Sequence, residues 1–395
     1  GKRESSHLVV NASSFIAGRL RFQGRIAVAT TAIASFIIIL AIAVSSGFRK
    51  ELRDGIASIS GDIRLTSPDL NYISESRPVR ADASFIPSLD SLDGIKRIVP
   101  VVYRAGIVKV GGNINGVLFK GVPGCGDSLS VRIPRRLSDM LGLGEGSEML
   151  TYFVGEKVRA RKFRVSSIYD DLAGSGDKLI VYAGIEDMQR LNRWEANEVS
   201  ALEIILDDGW RSETRMKEMT EEVGARVLFN TPEDEDTVVA SSAMNMYPEI
   251  FSWLQLIDFN VLFVLILMTV VAGFNMISSL LIMLFRNISV IGILKSMGMR
   301  DRAISSVFLK VASGAVIKGM LLGNLLAFLF CIVQSHTHII ALNPANYFVP
   351  FVPVDIDFIQ VIGADIISYA VIMLSLLLPC LFISGVDPAK TVRAQ

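Results

Sequence analysis

Few residues in this chain are of types and spacings able to do chemistry. His336 and His338 stand two apart and precede Asp355 and Asp357, a nitrogen and carboxylate set of the kind a divalent metal takes. No third ligand follows at helical or finger spacing, so an ordinary polar loop is expected there. The third histidine, His7, stands by itself. Lys310, Lys318 and Asp365 are charges inside apolar runs, and an ionisable group in lipid is a functional candidate because of what it costs to keep there. Lys310 is near enough to the end of its run to snorkel, while Lys318 lies deeper. The segment GSGDK at 174–178 has glycines and a lysine without the G-x-x-x-x-G-K-[ST] spacing that wraps a phosphate, and G-x-S-x-G does not occur. No catalytic residue, metal site or cofactor bound by this chain is expected.

A motif of another kind is VIGILKSMGMR, residues 290–300. Val290, Ile293, Leu294 and Met297 recur at i, i+3, i+4 and i+7, one apolar stripe on a helix of two turns. Gly298 follows where a C-terminal capping glycine belongs. Such a stripe must be buried against something. It can lie in lipid headgroups, or it can enter a groove on another protein. The second reading is favoured: two turns bind a membrane weakly, and the flanking runs already hold the segment in place.

Those flanking runs set the architecture. Hydrophobic residues make up 51% of the chain and its mean hydropathy is +0.47, too apolar for an ordinary soluble protein of 395 residues. A bilayer core takes about 20 helical residues. Ile26 to Phe48 and Phe259 to Phe285 carry no charge, and both exceed a typical buried core helix. Two further runs, 303–333 and 358–384, are interrupted by the lysines and the aspartate above. The first run is too long for a signal-peptide core, and no small-residue cleavage site follows it.

Charge orients the spans. Residues 1–25 hold Lys2, Arg3, Arg19, Arg21 and Arg25 against Glu4, and 286–302 hold Arg286, Lys295, Arg300 and Arg302 against Asp301. The segment 334–357 has no Lys or Arg. The positive-inside rule therefore places both termini and the 286–302 turn in the cytoplasm. The net charge of zero hides a split: residues 49–258 carry 26 basic and 33 acidic groups, a net of −7, and the rest of the chain carries +7. This balance describes a membrane protein with a large exported domain and excludes a nucleic-acid binder.

The exported part reads as mixed α and β. Phe48, Leu52, Ile56 and Ile59 extend span one outward as a stalk helix. Strands are expected at IRLT, GIVKV, GVLFKGV, SEMLTYFV and KFRVSSIY, and the segment from VSALEIILDD to RVLFN reads strand, helix, strand. A second stalk helix is expected over Val238 to Asp258, after the acidic TPEDED. Cys125 is the one cysteine in this domain, since Cys331 and Cys380 fall in spans, so its own core must hold it together.

At this point the chain resembles a known family, the lipoprotein-releasing LolC/LolE branch of the MacB/FtsX superfamily of ABC transporter permeases. The resemblance covers nearly the whole chain. It is carried by FNMISSLLIMLFRNISVIGILKSMGMRDRAISSVFL (274–309), SGFRKELRDGIASISGDIRLTS (46–67), DMQRLNRW (187–194) and DPAKTVRAQ (387–395). It implies a type VII ABC permease-like fold: four transmembrane helices with a large periplasmic α+β domain inserted between helices 1 and 2. The expected segments are a cytoplasmic 1–25, span 26–48, periplasmic domain 49–237, stalk 238–258, span 259–285, cytoplasmic coupling helix 286–302, span 303–333, periplasmic loop 334–357, span 358–384 and cytoplasmic tail 385–395. Val290, Ile291, Ile293, Leu294, Lys295, Met297, Gly298, Met299 and Arg300 would dock on the ATPase.

The resemblance also implies a non-catalytic subunit in a bacterial inner membrane, with ATP and Mg on two separate cytoplasmic ATPase subunits. A second permease chain, a lipoprotein substrate, a periplasmic lipoprotein carrier and membrane lipid would complete its partners. Ile42, Val44, Phe48, Phe251, Leu254, Ile257 and Leu262 are the expected acyl cleft. A MacB-type efflux permease and an FtsX-like regulator of a cell-wall hydrolase remain as alternatives. Lys318 is a departure that the family pattern does not explain.

Overall fold

The computed structural model describes residues 25–70, 77–155, 158–170, 179–232, 235–343, 347 and 349–381. His7, most of the basic N-terminal segment, GSGDK and the closing DPAKTVRAQ lie outside the described residues. The chain divides into two compact units. Of the described residues, one unit holds 25–50, 254–341 and 351–381, and the other holds 51–253 with 342–350.

Helix α1, Arg25–Ser60, is a single 36-residue helix. Its uncharged first part is followed by Leu52, Ile56 and Ile59, all buried, so the same helix that begins as an apolar run ends in the α/β unit. That unit continues with β1 (Ile63–Thr66), β2 (Val79–Arg80), α2 (Ile86–Asp90), β3 (Ile95–Val110), β4 (Asn113–Val122), β5 (Ser130–Pro134) and α3 (Arg135–Leu141). Next come β6 (Glu148–Phe153), β7 (Arg159–Tyr169), β8 (Ile180–Gly184), α4 (Ile185–Asn192), β9 (Glu198–Val199) and β10 (Ala201–Leu206). The unit closes with α5 (Glu213–Asn230), β11 (Val239–Ser242) and α6 (Ala243–Met246).

The 16-residue strand β3 organises this unit, because its two halves pair with different strands of one nine-stranded sheet. Its first half pairs antiparallel with β10, with Val101 opposite Ala201, and β10 continues through β1 to β11. Its second half pairs with β4, with Val102 opposite Gly121, and also with β6, with Ile107 opposite Tyr152. Pairing then runs β4, β8, β5, β7, β6 and back to β3, so these six strands close on themselves and leave no free edge. Phe119, Phe153 and Phe163 fill the ring, with centroids 5.0, 5.1 and 6.2 Å apart, all buried.

Two expectations are corrected here. RVLFN is the last turn of α5 and not a strand. Val227 continues one buried helical stripe with Met216, Met219 and Val223, and that stripe outweighs the strand-like apolar run. The second stalk helix does not begin at Val238. Residues 239–242 form β11 on β1, and the long helix starts only at Pro248, a residue whose fixed φ suits a first helical position.

The other unit holds the start of α1, nearly all of α7 (Pro248–Arg286), then α8 (Ile288–Ser296), α9 (Asp301–Thr337), α10 (Phe358–Ser375) and α11 (Leu377–Cys380). Four stretches of the described residues are helical, long and apolar enough to cross a membrane: Arg25–Ser60, Pro248–Arg286, Asp301–Thr337 and Phe358–Cys380. Their inward side is small and tightly packed. Gly319 and Gly323, one helical turn apart on α9, lie against α1 so closely that a Cβ at Gly323 would sit 2.4 Å from the Ala32 carbonyl oxygen and one at Gly319 would sit 2.8 Å from Thr31 Cβ. This is the close backbone approach that small residues allow between membrane helices. The outward side is apolar: Phe259, Phe263, Ile266, Val270 and Phe274 on α7 are exposed at helical spacing.

The chain between α9 and α10 is tied to the helices. Gln334 donates to the Val352 carbonyl at 3.1 Å and accepts from the Ile340 N–H. The Asp355 N–H donates to the Ala43 carbonyl at 3.0 Å, and Asp357 caps α10 by accepting from the N–H of Ile359 and Gln360.

Candidate functional site

The segment 286–302 forms a tight reversal. After Arg286 ends α7, Asn287 donates to the Met283 carbonyl and α8 begins at once. Gly298 stops it with φ +85°, a left-handed backbone that a side chain strains, while the Met299 N–H reaches back to the Leu294 carbonyl at 3.0 Å. Lys295 pairs with Asp301 at 3.1 Å across the reversal, at the first residue of α9.

The apolar residues of α8 divide between two faces. Ile291 is buried, and Ile288, Leu294 and Met299 pack beside it on the bundle core. Val290, Ile293 and Met297 are exposed, at 38%, 51% and 78%. At 100° per residue these three fall within one narrow sector, with Leu294 at its border and Ile291 turned toward the core. Arg286 and Arg300 stand at the two ends of the reversal. The structure thus offers a small apolar face with basic ends, three residues wide, and Leu294 belongs mostly to the inner side.

The seven residues expected at the acyl cleft are placed unequally. Ile42 is buried in a cluster with Ile38, Ala327 and Val361. Phe48, Phe251 and Leu254 are buried, Val44 and Ile257 are half-buried, and Leu262 is exposed. Among the residues of α1 and α7 there is also a polar link. Asp258 accepts from the Ser45 hydroxyl at 2.9 Å and from the Arg49 guanidinium at 2.6 Å, joining the two helices.

The intramembrane charges differ in setting. Lys310 and Lys318 are exposed on α9. Asp365 is half-buried and accepts a hydrogen bond from the Asn324 side-chain nitrogen at 2.6 Å, and Asn324 in turn accepts from the Ser35 hydroxyl at 2.6 Å. His338 ends α9 in a left-handed conformation with its ring 3.9 Å from that of Phe351. Asp355 pairs with Lys50 at 2.9 Å, and Asp357 is a helix cap, so neither carboxylate is held ready for a metal with the histidines. No group of three or more His, Cys, Asp or Glu able to hold a metal occurs among the described residues.

Two features were missed in the sequence. One is Gly319-Met-Leu-Leu-Gly323, a G-x-x-x-G signature in plain view inside an apolar run. The other lies in the α/β unit. Lys120 on β4 is buried and donates to the last carbonyls of α1, Ile59 at 2.6 Å and Ser58 at 3.3 Å, and to Glu203 on β10 at 2.8 Å. The Tyr103 hydroxyl donates to the other Glu203 oxygen. Burial pushes the Lys120 ammonium below its ordinary pKa, opposed by Glu203. The signal was a lysine inside GVLFKGV, on a strand otherwise apolar along that face.

Four membrane-length helices with an α/β unit inserted between the first and second form the layout expected of a type VII ABC permease-like fold. Residues 262–388 match the family model described as FtsX-like permease C-terminal. The chain is 21% identical over 408 residues to the lipoprotein-releasing system transmembrane protein LolC of Xylella fastidiosa, covering 96% of this chain and 95% of that one. It is 22% identical over 416 residues to LolC of Neisseria meningitidis serogroup B, with the same coverage of 96% and 95%. Among solved structures it is similar to the periplasmic region of MacB from Actinobacillus actinomycetemcomitans, at TM-score 0.31 and 12% identity, over 49% of this chain and 95% of that one. The extracellular domain of the noncanonic ABC-type transporter YknZ from Gram-positive bacteria gives TM-score 0.29 and 12% identity, over 46% and 99%. The chain thus carries a segment that matches the FtsX-like permease model and is similar to LolC proteins along nearly its whole length.

Proposed function

We propose that this chain is the membrane subunit of an ATP-driven transporter that extracts lipoproteins from the outer leaflet of a bacterial inner membrane and passes them to a periplasmic carrier. The observation that carries this reading is the similarity to LolC proteins along nearly the entire length of both chains. The chain itself does no chemistry. ATP and Mg bind two cytoplasmic ATPase subunits, and a second permease chain completes the membrane part. The exposed apolar face of Val290, Ile293 and Met297, with Arg286 and Arg300 at its ends, supports a docking role for α8. Closure of the ATPases would push on that helix, and the continuous α1, Arg25–Ser60, would carry the motion outward.

The test is purification of the full-length chain from its native membrane. A P-loop ATPase and a second permease chain are expected to accompany it, and Mg-ATP is expected to transfer a triacylated lipoprotein from proteoliposomes to a soluble carrier. Release of the same protein without its acyl chains, or of small amphiphiles alone, would favour efflux instead.

A further inference from the structure

The four membrane-length helices enclose one small cavity whose lining is unusual for a lipid-embedded bundle. Thr31 and Ser35 reach it from α1, Thr269 from α7, and Asp365 and Ser368 from α10, while Ala34, Ile38, Ala272, Met320 and Ile372 fill the rest of the wall. No basic side chain lines it. The space available to the centre of a water-sized sphere is about 10 Å³, which admits a single such occupant.

Two of its polar groups are left wanting. Thr31 is 1% exposed, and its hydroxyl oxygen has no hydrogen-bond partner. Asp365 has one oxygen on Asn324, and nothing at the cavity opposes its charge. Ser35 spends its proton on Asn324 and keeps its lone pairs, and Thr269 and Ser368 lie 3.3 Å apart, bonded to one another. A buried hydroxyl without a partner and a carboxylate without a counter-charge are each costly in an apolar bundle.

We propose that this cavity binds one small monovalent cation of the sodium type. Three occupants deserve comparison. A proton on Asp365 removes the charge and leaves Thr31 unpartnered. A water molecule partners Thr31 and leaves the charge. One small cation meets both needs by itself, where otherwise a proton and a water would be required together, since hydroxyl and carboxylate oxygens are the hard donors such an ion takes. A divalent ion would overcompensate a single carboxylate. The site is built within the membrane unit alone and does not depend on the substrate, so it stands or falls separately from the transport reading.

The experiment uses the purified full-length chain in detergent. Binding of radiolabelled sodium is measured together with thermal unfolding in sodium, potassium and choline chloride at equal ionic strength. One sodium bound per chain is expected, with an unfolding temperature that rises with sodium concentration and does not rise with choline. Thr31→Val, which keeps shape and removes the orphan oxygen, should weaken binding and shrink that rise; Asp365→Asn should abolish both. Stability independent of the cation at every concentration overturns the proposal. So does a stability that follows pH alone, the mark of a protonated carboxyl beside a water, or sodium binding that survives both substitutions. Should Asp365→Asn fail to fold, Thr31→Val and the binding count on the unaltered chain still decide.

Discussion

The Lys120 ammonium lies 2.8 Å from a carboxylate oxygen of Glu203, and the two side chains are 2% and 4% exposed. A buried pair of this kind gains little over an apolar replacement of both partners, but leaving one charge without the other costs about 3–5 kcal/mol. Lys120 also serves the last carbonyls of α1, so the pair does more than cancel itself. It fixes where α1 ends against β4.

Lys120→Met is accordingly expected to destabilise the α/β unit by about 3–5 kcal/mol, because Glu203 is left charged and buried. Lys120→Met with Glu203→Leu should recover part of this and leave about 1–3 kcal/mol, the cost of the α1 carbonyls that lose their donor and of the Tyr103 hydroxyl that loses its acceptor. Trp194, Trp210 and Trp253 are the only tryptophans and all belong to the α/β unit, so intrinsic fluorescence of the full-length protein reports on it. A double variant no more stable than the single one would show that the pair is not the source of the loss.

The exposed face of α8 yields a second prediction. Ile293→Glu places a charge on the outer sector, so insertion and tryptophan fluorescence should be unchanged while the ATPase no longer copurifies. An unpaired charge in an apolar groove costs several kcal/mol, enough to lower the affinity by more than a hundredfold. Leu294→Glu is expected to behave differently, since Leu294 packs on the bundle core and the charge would disturb the bundle itself. Full ATPase retention by Ile293→Glu would point to lipid headgroups as the partner of this face.

How far the sequence carried these conclusions depended on the range of the forces involved. The apolar runs and β1, read as IRLT, were legible because local pattern decides them. The closure of six strands was not, since β3 shows nothing along its length to say that its halves pair with different partners. β11 was hidden for a related reason: VASS has weak pattern of its own and is a strand because β1 offers it an edge. The stripe at 290–297 was visible, but its division was not. Which of Ile291, Leu294 and Val290 faces the core follows from how the flanking α7 and α9 hold α8, a tertiary fact.

Packing of α1 on α9 gives a third prediction. At Gly323 a new Cβ meets backbone at 2.4 Å and cannot be relieved by turning a side chain. Gly323→Ala should therefore destabilise by about 1–3 kcal/mol despite the better helix propensity of alanine. At Gly314, on the same helix, nothing lies within 4 Å of the added atom. Gly314→Ala should be neutral or slightly stabilising. Thermal unfolding of both variants in detergent, monitored by loss of helical circular dichroism, separates them; equal behaviour would mean that α1 and α9 do not meet as closely as described.

The last prediction concerns the substrate. Acyl chains extracted from a leaflet cannot cross water, because each methylene contributes roughly 0.8 kcal/mol of burial, so they must touch apolar side chains open to lipid. Of the residues considered for that task, Phe48, Phe251 and Leu254 are buried in the chain by itself, whereas Leu262 is 53% exposed and stands with Phe259, Phe263 and Ile266 on the outer side of α7. A photo-crosslinking residue at Leu262 should therefore capture a triacylated lipoprotein in membranes that hold the whole complex. The adduct should disappear when Mg-ATP is added, and it should not form with a substrate lacking its acyl chains. The same probe at Phe251 should give little or no adduct, since that side chain is covered. If Leu262 captures only phospholipid or a neighbouring permease chain, and does so equally with and without ATP, the outer face of α7 is a lipid or subunit contact and the acyl chains take another path.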